Sequence, residues 1–253
     1  MKKNQCKLEP GEKYYQFIFE KGLTIDKYYK GKNFNISTDV EKMLNLVEGL
    51  IRMSKFKVIH RDIKPDNIVH LKNNFFFIDY GLVTSFKRIF QKSEYFALEA
   101  SYFVYPPEFK LFINKTLKDY MHEFPNSMIK LLENCKVASL KDLILELKML
   151  IMNYKNKVFK RKEVNKSKID VFSFGISFLV IISDHLKVKV MTTIHSDLVL
   201  ILRRCILFDP NQRCSPEELK CMLLKYITFY IKNNNKPVSI IDEKSIYNGY
   251  FER

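Results

Sequence analysis

The sequence has no tryptophan and only three alanines, Ala97, Ala100 and Ala138. Lysine and asparagine are abundant instead, as an AT-rich coding bias would produce. Acidic residues are in deficit: 43 Lys and Arg stand against 28 Asp and Glu, a formal charge of +15. That balance favours acidic partners such as nucleotides, nucleic acid, anionic lipid or acidic peptides. Coding bias is the plainer source of most of it. The cysteines, Cys6, Cys135, Cys205, Cys214 and Cys221, are odd in number and form no C-x-x-C pair. Neither a zinc site nor a disulfide framework follows, so reduced, buried thiols are expected. His70, His122, His185 and His195 also lack metal-ligand spacing. The longest apolar run, "FSFGISFLVII" over 172–182, is too short to span a bilayer and reads as a buried helix. The opening "MKKNQCKLEPGEK" carries no signal-peptide core. A soluble, cytoplasmic protein with no membrane partner is the expectation.

What is present suffices for one large domain, or two modest lobes sharing a core, since 47% of the residues are hydrophobic. "YYQFIFE" (14–20) is aromatic and β-branched enough for a strand. "TDVEKMLNLVEGLIRM" is predicted helical, with Val40, Met43, Leu44, Val47 and Ile51 on one stripe. Thr38 and Glu41 read as its capping box. "IVHL" and "FFFI" flank Lys72-Asn73-Asn74 as a hairpin. From Phe109 to Lys168 the pattern turns helical and basic. Leu140, Leu143, Ile144, Leu147 and Ile151 share one side there, and "KNKVFKRKEVNKSK" (155–168) reads as a solvated loop. "SPEEL" (215–219) offers Ser at the N-cap, Pro at N1 and Glu at N3, with Leu219, Met222, Leu223, Tyr226 and Ile227 behind it. Residues from 233 on read as a polar tail.

Between these elements lies "VIHRDIKPDNIVH" (58–70), a dense polar burst with apolar flanks. Its residue types suit phosphoryl transfer to a hydroxyl. That chemistry needs a carboxylate to orient the hydroxyl, a cation near the transferred phosphate and oxygen ligands for Mg²⁺. Asp62 can be the base and Lys64 the cation. Asn67 offers a neutral carbonyl ligand. Asp79, before Gly81 at a strand end, offers a carboxylate on a tight turn.

"HRDIKPDN" followed by "IDYGL" resembles the catalytic loop and metal-binding loop of eukaryotic-type protein kinases. "YPPEF" (105–109) stands where that family has A-P-E, and "DVFSFG" (170–175) resembles the start of its large buried helix. Arg213 in "DPNQRCS" resembles the late Arg that pairs with the A-P-E Glu, here Glu108. The resemblance spans about residues 14 to 230 and implies an α+β, mostly α fold. That fold is a kinase-like large lobe with a small β-hairpin carrying the catalytic and metal loops. It implies roles for single residues. Asp62 is the catalytic base, and Lys64 contacts phosphate as in the serine/threonine branch. Asn67 and Asp79 hold Mg²⁺ and, with Lys64, the ATP phosphates. His60 and Tyr80 belong to the apolar stack joining the lobes. Asp170 accepts backbone N–H bonds from the catalytic loop, and the Glu108–Arg213 pair is buried. Arg61 suggests switching by phosphorylation, with Thr84, Ser85 and Ser93 as candidate sites, and Ser101 stands where the family bonds a Thr or Ser to the base.

Two departures accompany the resemblance. The sixteen residues before Phe17 contain no G-x-G-x-x-G and no V-A-I-K. Residues 1–23 then read as the remnant of a small-lobe strand and a hinge around Glu20 to Leu23. Residues 24–232 form the catalytic lobe, and 233–253 the tail. Glu108 to Asp170 spans 62 positions, so 109–168 is a helical, basic insertion, either surface decoration or a docking element. The expected function is that of a protein serine/threonine kinase, a transferase acting with ATP and Mg²⁺ on a protein substrate. As a truncated kinase domain it would need a small lobe from upstream sequence or a partner protein. The alternative is a non-catalytic pseudokinase-like regulatory module. Nucleic acid is disfavoured, because no aromatic-rich binding surface accompanies the basic stretch.

Overall fold

The computed structural model describes residues 20–32, 34–90, 105–108, 126–135, 140–155, 164–186 and 193–232. The expected strand at 14–20 (apart from Glu20), residues 156–163 of the expected basic loop, Ser93, Ser101 and the tail from 233 lie outside these residues, whereas the expected hinge, Glu20 to Leu23, lies within them. The fold is α+β and mostly helical, with two small antiparallel sheets. In chain order come β1 (Leu23–Thr24), α1 (Ile25–Tyr29), α2 (Ile36–Lys55), β2 (Val58–Ile59), β3 (Ile68–Leu71), β4 (Asn74–Phe77) and β5 (Thr84–Ser85). Then follow α3 (Asn126–Asn134), α4 (Leu140–Lys155), α5 (Ile169–Leu186), α6 (Thr193–Cys205) and α7 (Pro216–Lys232). Among the described residues, no helix is long and apolar enough to cross a membrane.

Helix α2 forms where its apolar period predicts, and Val40, Met43, Val47 and Ile51 are buried. It buries more than one stripe, adding Ile36, Leu46 and Leu50, because it lies between β4 on one side and α7 on the other. The expected capping box at Thr38 and Glu41 gives way to an earlier start. Asn35 caps the helix by accepting from the Thr38 backbone N–H at 3.2 Å, and Asp39 accepts from the Asn35 N–H at 2.7 Å. Burial of Ile36 extends the helix by one apolar residue, so the cap moves upstream. The box at α7 is as read: Ser215 Oγ accepts from Glu218 N at 3.1 Å, and Glu218 returns the bond to Ser215 N at 2.6 Å.

The hairpin β3–β4 joins Leu71 to Asn74 across two residues, not three. Lys72 (φ 47°) and Asn73 (φ 62°) both take the left-handed conformation. This is the turn whose twist matches that of the strands, so Asn74 is already in the ladder. β1 adds to β3, giving the order β1-β3-β4, while β2 pairs with β5 through Val58↔Ser85 and Ile59↔Thr84.

Helix α5 is apolar all round and buried from Ile169 through Leu179, as its sequence demands. It approaches α6 closely at Gly175. A Cβ there would lie 2.6 Å from Cys205 Cβ and 2.8 Å from Ile206 Cγ2. Alanine normally favours a helix over glycine by about 0.5–1 kcal/mol, but overpacking costs about 1–3 kcal/mol. Gly175→Ala should therefore destabilise the protein by roughly 1–2 kcal/mol. Chemical denaturation checks it; a raised midpoint would contradict the packing.

Candidate active site

The polar burst runs from β2 to β3 at the N-terminal end of α5. Asp170, in the first turn of α5, accepts the backbone N–H of His60 at 2.6 Å and of Arg61 at 3.0 Å. Burial pushes the Asp170 carboxyl above its usual range, and the two backbone donors pull it the other way. The bonds hold Arg61 at φ 70°, a left-handed value costly for a residue with a Cβ. Ile63 is fully buried, and Ser177 Oγ reaches its carbonyl at 3.4 Å.

This pinning brings three side chains together. Asn67 Nδ2 donates to Asp62 Oδ2 at 2.6 Å and to the Asp62 carbonyl at 2.9 Å. Lys64 Nζ stands 3.1 Å from the same Oδ2. Both contacts to the carboxylate fall on Oδ2. Because the Asn67 nitrogen makes the bonds to Asp62, its carbonyl Oδ1 is the end left for another ligand.

His60 is buried and ties the burst to the next strand. Its Nε2 donates to the Ile78 carbonyl at 3.1 Å, and its Nδ1 accepts from Asp62 N–H at 3.3 Å. The carbonyl can only accept, so the proton sits on Nε2. Tyr80 leans on His60 with ring centroids 4.9 Å apart, and its hydroxyl donates to the Phe77 carbonyl at 3.2 Å. Asp79 is exposed at φ 59° and accepts from Gly81 N–H at 3.3 Å, which sets the tight turn.

The segment at 105–108 is anchored from below. Arg213 Nη1 and Nη2 reach Glu108 Oε1 and Oε2 at 2.7 and 2.9 Å. The side chains are 0% and 2% exposed. Arg213 also donates to the carbonyls of Leu207 and Lys168, both at 3.0 Å.

Among the candidate phosphosites, Thr84 is buried in the β2–β5 pair, and Ser85 beside it is half-buried. Among the described residues, no three or more His, Cys, Asp or Glu gather as a metal site. Mg²⁺ does not need such a group, since it prefers one or two protein oxygens completed by phosphates and waters. The Asn67 carbonyl and the Asp79 carboxylate are hard oxygen donors of that kind.

Sequence reading missed one surface. Residues alternate along β4, so Phe75 and Phe77 enter the core while Phe76 and Ile78 stay exposed on the outer side, beside Val69. The alternation was visible in "NFFFI", but exposed aromatic and β-branched side chains were not expected. No family model matches the chain, and no curated protein matches it closely enough to name a relative.

Proposed function

We propose that the chain is the large lobe of a protein serine/threonine kinase, transferring the γ-phosphate of ATP to Ser or Thr hydroxyls. One observation carries the reading: Asp62 is held between Asn67 and Lys64 on a loop whose backbone is pinned by Asp170. In this reading Asp62 Oδ1 faces the acceptor hydroxyl and takes its proton, while Lys64 neutralises charge on the transferred phosphate. Asn67 Oδ1 and Asp79 hold Mg²⁺, which when bound neutralises phosphate charge. Asp170 and the Glu108–Arg213 pair position the loop and the 105–108 segment. The outer face with Val69, Phe76 and Ile78 ends at Asp79 and is an apolar floor suited to a nucleotide base.

An apolar slot for adenine needs a second wall, and residues 1–19 contain no Gly-rich loop to provide phosphate-binding amides. Exposure of Phe76 and Ile78 suits a small lobe supplied from elsewhere. The same exposure is what favours the second reading, a non-catalytic kinase-like module that binds a regulatory partner.

The test is Mg²⁺-dependent transfer of labelled phosphate to a mixed protein substrate, followed by phosphoamino-acid analysis. Phosphoserine and phosphothreonine are expected, because Lys64 resembles the serine/threonine branch. Mainly phosphotyrosine would contradict the assignment. No transfer in the presence of an added kinase small lobe would favour the binding module.

A further inference from the structure

The loop between α6 and α7 carries a thiol at each end. Cys205 is the last residue of α6, and Cys214 stands two residues before Pro216, which opens α7. Both are buried and free. Their sulfurs lie 3.7 Å apart, with Cys214 Sγ donating toward Cys205 Sγ. The Cys214 backbone N–H also donates to the Arg204 carbonyl at 3.1 Å, so the two segments are already neighbours through their main chains. A disulfide needs its sulfurs at about 2.05 Å and its Cα atoms within about 7 Å. The remaining gap of about 1.7 Å is within reach of side-chain rotation and a small shift. The shift belongs to Cys214, because Cys205 packs closely on α5 at Gly175.

Arg213 stands between the two thiols and fastens this loop to Glu108 and to the carbonyls of Leu207 and Lys168. While the loop is shut the pair is unreactive. Burial pushes the Cys205 thiol well above its usual range, and the thiolate is the nucleophile. Reaction therefore waits on local opening of the loop, and the Arg213–Glu108 pair is what opposes that opening.

We propose that Cys205 and Cys214 are a redox latch, which hydrogen peroxide converts to a disulfide that clamps the loop around Arg213 once it has opened. Cys214, the less deeply buried of the two, reacts first. Its thiolate attacks one peroxide oxygen, the O–O bond breaks, and the departing hydroxide takes up the thiol proton to leave as water. Cys205 then attacks the sulfur of the resulting sulfenic acid. The S–S bond forms, the S–O bond breaks, and a second water leaves with the Cys205 proton. Each sulfur loses one electron, and the peroxide takes both. The latch does not depend on phosphoryl transfer, although it holds the same Arg213 that anchors the 105–108 segment.

The test treats the full chain with hydrogen peroxide, blocks remaining thiols by alkylation and maps the non-reduced digest by mass spectrometry. A Cys205–Cys214 cross-link is expected, lighter by two hydrogen atoms and reversed by dithiothreitol. Glu108→Gln should speed its formation by about tenfold or more, because the loop opens more often. Urea below the unfolding transition should speed it in the wild-type chain as well, which keeps the test independent of how well that variant folds. Cys205→Ser should remove the cross-link and leave a sulfenic acid on Cys214 that dimedone traps. Closing so short a loop should raise the melting temperature of the oxidised chain by about 5 °C. Oxidation confined to the exposed Cys221, a cross-link whose rate neither Glu108→Gln nor urea changes, or a lower melting temperature after oxidation overturns the proposal.

Discussion

Asp62→Asn should abolish phosphoryl transfer in any active preparation while leaving the fold standing. The amide keeps the shape of the carboxylate but cannot take a proton from the acceptor hydroxyl. Loss of a general base typically costs about 10²- to 10⁴-fold in rate. The fold has little at stake. Asn67 keeps its 2.9 Å bond to the Asp62 carbonyl, and Asp170 still pins the backbone through His60 and Arg61. Lys64 loses a counter-ion, but it is half-buried and near solvent. Labelled-phosphate transfer and a melting curve on the same sample separate the two effects. Transfer within about threefold of wild type would remove Asp62 from the role.

Arg213→Ala should have the opposite signature, a large loss of stability. The guanidinium is fully buried and makes both arms of a bidentate pair with Glu108, with two further bonds to backbone carbonyls. It also lies 4.9 Å from the centre of the Phe172 ring. Truncation strands a buried carboxylate, and breaking one side of such a pair costs about 3–5 kcal/mol. For a chain of this size that lowers the melting temperature by about 6–20 °C. Arg213→Lys should rescue little, because an ammonium cannot present the two-pronged geometry. Glu108→Gln combined with Arg213→Met should cost less than Arg213→Ala alone, since no charge is left stranded. An unchanged melting curve for Arg213→Ala would show that the pair does not hold the 105–108 segment.

How far the sequence was legible depended on distance along the chain. Residues 60–67 and 79–81 lie in contiguous runs, so Asp62, Lys64, Asn67 and Asp79 could be singled out as candidates by residue type and order. Their partners were not. Nothing in the period or spacing of "DVFSFG" says that Asp170 reaches back to His60; resemblance alone pointed there. Helix α2 and the α7 capping box follow local rules and were readable. The cap of α2 was misplaced because burial of Ile36 is a tertiary effect. Lys42, on the side of α2 away from the predicted stripe, shows another tertiary effect that local pattern does not reveal. In the fold it is buried, with Asp39 at 2.9 Å and the Tyr28 hydroxyl at 3.1 Å. On α4 one apolar side was expected, and Leu150, which is buried, and Leu145, Met149 and Met152, which are exposed, were passed over, because leucine, isoleucine and methionine recur on nearly every side of the helix.

The bonds from Asp170 to His60 and Arg61 span 110 and 109 residues, and the Glu108–Arg213 pair spans 105. Protein synthesis is vectorial, at about 5–20 residues per second. Some 110 residues therefore separate emergence of the polar burst from emergence of its pin, an interval of about 5–20 s. During that time α2 and the hairpin can form from local contacts, while Arg61 has nothing holding it in its left-handed conformation. The burst is thus arranged only after α5 has emerged, and a nascent chain stalled before α5 would carry every residue of the burst without their arrangement.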